Sequence, residues 1–150
     1  MDNSAPVEIL LVEDNPNDVT LVMRALKRNR VANNIEVVED GAEALDFLFQ
    51  KGRYASASGP YLPRVVFLDI KLPKISGLEV LKEIRGNEKT RQLPVVIVSS
   101  SREDPDISKA YELGANSYVV KPVDFESFFK VISDLGMYWL IINEPPKISL

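Results

Sequence analysis

Short apolar runs recur along the chain, and each is followed by a segment in which apolar residues return at helical spacing. The runs are rich in Val, Ile, Leu and Phe, a composition typical of strands buried on both faces of a parallel sheet. They predict strands at residues 8–12, 35–38, 65–68, 94–99 and 117–120. All four residues of the Val65–Leu68 run are apolar, which predicts a strand buried on both faces. We therefore expect this run to be the central strand.

Capping residues and helical periodicity predict a helix after every strand. Asn15-Pro16 and Asp104-Pro105 each place a capping side chain before a proline, and Asp124 can cap the last helix. The predicted helices cover about residues 16–29, 42–51, 78–86, 105–113 and 125–142.

The alternation of strand and helix predicts an α/β fold, in which a doubly wound, five-stranded parallel sheet carries helices on both faces. We expect one domain over residues 1–150, with its core at about 8–142 and a loose tail at 143–150. Residues 52–63 predict a loop that is long for a helix–strand connection, and we interpret it as a tolerated insertion rather than a specific surface feature.

Composition excludes several classes of function. The net charge is −4 and no basic cluster is visible, so neither nucleic-acid binding nor attachment to an anionic membrane surface is predicted. Cysteine and histidine are both absent, which excludes disulfides, thiolate metal sites and any imidazole base. The N-terminus lacks a signal-peptide pattern and no run is long enough to span a membrane, so we expect a cytoplasmic protein.

Polar residues follow the predicted strands in an ordered set. Glu13 and Asp14 follow the first strand, Asp69 the third, Ser99 ends the fourth, and Lys121 follows the fifth. Taken singly, each has an ordinary explanation as a turn acid, a strand-end hydroxyl or a surface lysine. Because the carboxyl ends of parallel strands meet at one edge of the sheet, where ligands bind in such folds, we expect the set to converge there.

The converging groups suit phosphoryl chemistry. Carboxylates held close together repel one another, and Mg²⁺ is the hard cation that would balance them. Lys121 and Ser99 are suited to the remaining oxygens of a phosphoryl group. Asp69, on the central strand, is the predicted nucleophile and would become an acyl phosphate without needing a general base.

The motifs that carry this chemistry resemble the receiver domain of two-component response regulators. The matching stretches are Glu13-Asp14-Asn15, residues 68–73, Val98-Ser99 and residues 118–122. The resemblance implies a CheY-like, flavodoxin-like (βα)5 fold with strand order 2-1-3-4-5. It also implies that Asp69 accepts a phosphoryl group from a sensor histidine kinase, and that Mg²⁺ binds Glu13, Asp14, Asp69 and the main-chain carbonyl of Lys71.

The same resemblance implies how the phosphoryl group acts. Ser99 and Lys121 contact it, Ser99 and Tyr118 switch together, and the bond between Lys121 and Pro122 is cis. The opening residues 13–18, Gly52-Arg53-Tyr54, residues 121–125 and Trp139 are similar to small stand-alone regulators that partner phytochrome-type histidine kinases. Such a protein is a signalling receiver that promotes its own phosphotransfer and hydrolysis rather than an enzyme with a separate substrate.

The last predicted helix is apolar beyond one stripe, which indicates that another surface covers it. We expect a homodimer through this helix and the face of the fourth helix and fifth strand, with Tyr138 and Ile142 in the contact. The alternative is a kinase-docking surface near the first helix. Two further alternatives are a degenerate receiver that only binds proteins, and an aspartyl-nucleophile phosphatase, which would need a second Asp where Lys71 stands.

Overall fold

A computed structural model describes residues 7–28, 34–55 and 62–147. Its five strands are all parallel and lie in the order β2-β1-β3-β4-β5, as predicted. The strands are β1 (Ile9–Val12), β2 (Ile35–Val38), β3 (Val65–Leu68), β4 (Val95–Ser99) and β5 (Ser117–Val120). The helices are α1 (Pro16–Arg28), α2 (Gly41–Phe49), α3 (Gly77–Gly86), α4 (Asp104–Glu112) and α5 (Phe125–Met137).

Alternation along the strands divides the core into two layers. Side chains such as Leu11 and Phe67 pack with α1 and α5, whereas Leu10, Leu68 and Ile97 pack with α2, α3 and α4. The central strands β1, β3 and β4 are buried throughout, because helices cover both of their faces. The predicted doubly wound α/β fold is therefore confirmed.

The register of the sheet places the carboxyl ends of its strands next to one another. Val12 lies opposite Leu68, and Ser99 lies opposite Val120. The residues that follow β1, β3 and β5 must therefore emerge side by side. This register, more than any loop, brings distant parts of the sequence to one edge.

Two helix boundaries differ from the prediction. Asp104 is the first residue of α4 rather than its cap, and Glu103 occupies the capping position without a capping side-chain bond. Ser101 still ties the chain to this end of α4, because its hydroxyl accepts from the Glu103 N–H at 3.2 Å and donates to the Asp106 side chain at 2.6 Å. Helix α2 ends at Phe49, since Gln50 adopts a left-handed conformation with φ of 54°.

The last helix changes its winding. α5 is regular to Met137, and residues Tyr138–Ile142 form a π-helical turn. The turn closes with the Asn143 N–H donating to the Tyr138 carbonyl at 2.6 Å, and it buries Leu140 beside α1 and α5 in the core. The prediction of one helix to Ile142 therefore holds for its length but not for its geometry.

Three other predicted features lie partly outside the described residues. The end of the first helix near Asn29 is one, and residues 148–150 of the predicted tail are another. Within the predicted loop, Gly52–Tyr54 form a 3₁₀ turn whose Tyr54 ring packs edge-on against Phe47, while residues 56–61 are outside the description.

Candidate functional site

The acidic residues predicted at the carboxyl edge of the sheet meet there. Ligand oxygens of Glu13, Asp14 and Asp69 all lie within 4.8 Å of one another. Glu13 and Asp69 are buried and Asp14 is exposed, so the cluster lies partly in the core and reaches solvent at Asp14. Three carboxylates in this arrangement suit a hard divalent cation that keeps some of its water, as Mg²⁺ does.

Both carboxylate oxygens of Asp69 accept hydrogen bonds. Oδ1 accepts from the Ile70 N–H at 2.7 Å, and Oδ2 accepts from the Lys121 ammonium at 3.0 Å. The chain after β3 closes tightly behind it, because a Cβ on Gly77 would lie 1.9 Å from the Asp69 carbonyl oxygen. Glycine at that position lets α3 begin directly against the residue that carries the predicted chemistry.

Lys121 is the centre of the charged network. Its ammonium donates to Glu13 at 2.6 Å, to Asp18 at 2.8 Å and to Asp69 at 3.0 Å. The sequence pattern did not predict Asp18, because this residue lies in the first turn of α1 and not at the end of a strand. Asp18 could have been suspected from the sequence because it is an acid one helical turn after the Glu13-Asp14 pair, at the same edge of the sheet.

Burial and charge shift two of these groups. Burial, with the nearby charge of Asp69, raises the pKa of Glu13 to about 7, although the hydrogen bond from Lys121 opposes the shift. Burial by itself lowers the pKa of Lys121, but its hydrogen bonds to Asp18 and Glu13 and the charge of Asp69 outweigh burial and raise it. Lys121 is therefore a cation at neutral pH, held by more negative charge than it balances.

Ser99 and Tyr118 both bind the same residue, Ser101. The buried Ser99 hydroxyl accepts from the Ser101 N–H at 3.2 Å, and the Tyr118 hydroxyl donates to the Ser101 carbonyl at 2.9 Å. Since Ser101 also organises the start of α4, the two residues predicted to switch are linked to that helix through one short segment.

The remaining predicted residues lie elsewhere or differ. Lys71 is exposed beside the site. The described residues contain no cis peptide bond, so the expected cis bond between Lys121 and Pro122 is wrong for this structure. Tyr138 and Ile142, 46% and 65% exposed, lie at the far end of α5, away from the carboxylates.

Among the described residues, no helix has the length and apolar character needed to cross a bilayer.

Comparison with solved structures agrees with this geometry. The phosphorylated cyanobacterial phytochrome response regulator RcpA is 36% identical with a TM-score of 0.88, over 95% of this chain and 100% of that one. The Mn²⁺-bound form of Rcp1, a protein of Synechocystis, is 34% identical with a TM-score of 0.87 and the same coverage. The bacteriophytochrome response regulator AtBRR is 50% identical with a TM-score of 0.72, over 94% of this chain and 100% of that one.

Curated relatives and a family model lead to the same conclusion. The probable methanogenesis regulatory protein FilR2 of Methanothrix harundinacea is 42% identical over 141 residues, which cover 94% of this chain and 88% of the relative. The model for the response regulator receiver domain matches residues 9–133. This protein therefore belongs to the response regulator receiver domain family and is similar over nearly its whole length to the phytochrome-associated regulators RcpA and Rcp1.

Proposed function

We propose that Asp69 is the phosphoacceptor of this response regulator and that it takes a phosphoryl group from a phosphohistidine of a sensor histidine kinase. The observation that carries the proposal is the position of Asp69, buried between the Lys121 ammonium and the carboxylates of Glu13 and Asp14. An ionised carboxylate in that position is already a nucleophile, so a chain without histidine needs no base to activate it.

The step forms a P–O bond to Asp69 and breaks the P–N bond of the donor, whose imidazole leaves with the electron pair and is protonated by solvent. Glu13, Asp14 and Asp69, with the Lys71 carbonyl, would hold Mg²⁺, which would balance negative charge on the transferring phosphoryl group. Lys121 and Ser99 then donate hydrogen bonds to the oxygens of the acyl phosphate. Hydrolysis of that acyl phosphate by water returns Asp69 to a carboxylate and ends the signal.

Intact mass spectrometry after incubation with Mg²⁺ and acetyl phosphate tests this assignment. We expect wild type to gain the mass of one phosphoryl group and Asp69→Asn to gain none. Asp104→Asn removes an exposed carboxylate from the first turn of α4 and should be labelled like wild type. A wild type that stays unlabelled, with either acetyl phosphate or a phosphorylated kinase, would instead favour the degenerate receiver that only binds proteins.

We further propose that the donor is a phytochrome-type kinase. The likeness to RcpA and AtBRR supports this pairing, whereas FilR2 shows that similar regulators carry names from other signalling contexts. Purified phosphorylated phytochrome-type kinases should transfer their label to this protein faster than an unrelated histidine kinase does. Equal transfer rates from both classes of kinase would contradict the pairing.

Output through a homodimer is the last part of the proposal. The exposed side chains Met137, Tyr138, Ile141 and Ile142 form an apolar surface on and beyond the last turn of α5. We expect Ile142→Glu to weaken self-association in sedimentation experiments, and Val123→Glu, at another exposed apolar position, to leave it unchanged. A strict monomer at high micromolar concentration, with and without a phosphoryl mimic, is the result that rules the homodimer out.

A further inference from the structure

The ammonium of Lys121 has no hydrogen left for a new partner. It carries three N–H donors, and each reaches a different carboxylate: Glu13 at 2.6 Å, Asp18 at 2.8 Å and Asp69 at 3.0 Å. A bond from Lys121 to a phosphoryl oxygen must therefore replace one of these bonds. Which carboxylate gives way, and which keeps its hold, decides how strongly Lys121 binds the phosphoryl group.

Two of the three carboxylates have other roles in the reaction. Glu13 and Asp69 belong to the cluster whose oxygens lie within 4.8 Å of one another, and Asp69 is the proposed acceptor. Asp18 is not in that cluster and comes from the first turn of α1. Its side chain is 23% exposed and has no other partner among the described hydrogen bonds.

We propose that Asp18 is a positioning residue that restrains Lys121 and thereby limits phosphorylation of Asp69. It competes with the phosphoryl group for the same ammonium, because a cation shared with a fixed carboxylate interacts more weakly with a second anion. This inference rests on the proposed function, since it concerns the oxygen atoms of the acyl phosphate on Asp69. It predicts that removing the charge of Asp18 favours the phosphorylated state.

The bond to Asp18 is also placed to act late in the reaction. Once Asp69 carries phosphorus, its Oδ2 no longer has the full negative charge that now attracts Lys121. The ammonium can then turn toward a phosphoryl oxygen, and Asp18 is the carboxylate outside the metal cluster that opposes the turn. The expected consequence is a smaller phosphorylated fraction and a shorter lifetime of the acyl phosphate than Lys121 would give without this competitor.

The test compares Asp18→Asn with wild type in Mg²⁺ and graded acetyl phosphate, using intact mass to measure the phosphorylated fraction. Asparagine keeps an oxygen that can accept from Lys121 but removes the charge. We expect half-maximal phosphorylation at about threefold to tenfold lower donor concentration, in the range for loss of one partly exposed charge-assisted bond. Asp104→Asn matches the change in charge at another first helical turn and should behave like wild type, and Asp18→Glu should restore wild-type behaviour.

The same pair of measurements in a Lys121→Met background separates action through Lys121 from simple charge repulsion. Without the ammonium, Asp18→Asn should produce no shift. An equal shift in both backgrounds, or an unchanged or reduced phosphorylated fraction in Asp18→Asn alone, overturns the proposal. If Lys121→Met does not fold, the half-life of the acyl phosphate in Asp18→Asn decides, and a half-life no longer than that of wild type overturns it. Failure of the proposed function is distinct, because wild type itself would then remain unlabelled.

Discussion

The two edges of the sheet each hold a partly buried cation, and their partners are opposite in character. At the carboxyl edge, Lys121 donates to three carboxylates. At the amino edge, every acceptor of Arg85 on α3 within the described part of the chain is a neutral oxygen just before β4 or β5 begins. These are the carbonyls of Leu93 at 2.7 Å, Gly114 at 2.9 Å and Arg91 at 3.1 Å, and the Asn116 side chain at 2.9 Å.

The difference separates a site that fixes structure from one that can react. Burial lowers the pKa of Arg85, and neutral oxygens in fixed positions occupy four of its N–H donors, so its guanidinium joins backbone segments and gathers no carboxylates around it. Around Lys121 the carboxylates outnumber the ammonium, so the site retains affinity for a further cation, and a phosphoryl group can compete for Lys121. Like charges gathered in one place cost stability, and that cost is concentrated where the proposed chemistry occurs.

Lys121→Met should produce the largest effect and define the carboxyl edge. Breaking a buried ion pair and leaving its partners charged costs about 3–5 kcal/mol of unfolding free energy. Because the pKa of Lys121 is raised, its stabilisation is present below the ordinary ammonium pKa and is lost only as pH rises beyond it. Urea denaturation at pH 8 without Mg²⁺ measures the loss, and added Mg²⁺ should recover most of it by taking the place of the cation.

The control for this variant is Lys130→Met, which removes a lysine from an exposed ion pair with Asp134. It should change the unfolding free energy by less than about 0.5 kcal/mol, as exposed pairs generally do. A Lys121→Met loss of equal size with and without Mg²⁺ would show that the two edges do not differ in the way proposed.

Arg85→Met should have the next largest effect and no response to Mg²⁺. The substitution leaves carbonyl oxygens of Leu93 and Gly114 without their donor, at a cost of about 2–4 kcal/mol for the partly buried group. Lys82→Met, on an exposed position of the same helix, should be close to neutral. Recovery of Arg85→Met stability by Mg²⁺ would contradict the assignment of this edge to structure alone.

The residues that meet at the carboxyl edge could be predicted from the sequence, because each follows its own strand directly along the chain. Each apolar run ends in a visible polar residue, and parallel strands of matched length must bring Asp14, Asp69 and Lys121 together once the fold class is right. Asp18 escaped prediction because an acid in the first turn of a helix already has a sufficient explanation in the helix dipole. The bond from the Lys121 ammonium to Asp18 becomes visible only in the three-dimensional structure.

The amino edge was invisible for a different reason. Arg85 binds mostly backbone carbonyls, which carry no residue-specific signal, from segments joined to it only by tertiary structure. The π turn at Tyr138–Ile142 was missed similarly, since the apolar pattern of a helix does not distinguish a bond to the fifth residue from one to the fourth. Local patterns therefore located the elements, while side-chain-to-backbone bonds and helix winding depended on packing.

Mg²⁺ binding to wild type should give the smallest effect, and it tests whether the carboxyl edge has room for a cation beyond Lys121. At free Mg²⁺ about ten times its Kd, the unfolding free energy should rise by about 1.4 kcal/mol. Asp14→Asn should lose most of that increment, because Asp14 is the exposed member of the acidic cluster and is not bonded to Lys121. Asp104→Asn, which removes an equal charge outside the cluster, should keep it. Equal increments in Asp14→Asn and wild type would mean that any Mg²⁺ effect is general screening, and the contrast between the two edges would then rest on Lys121 alone.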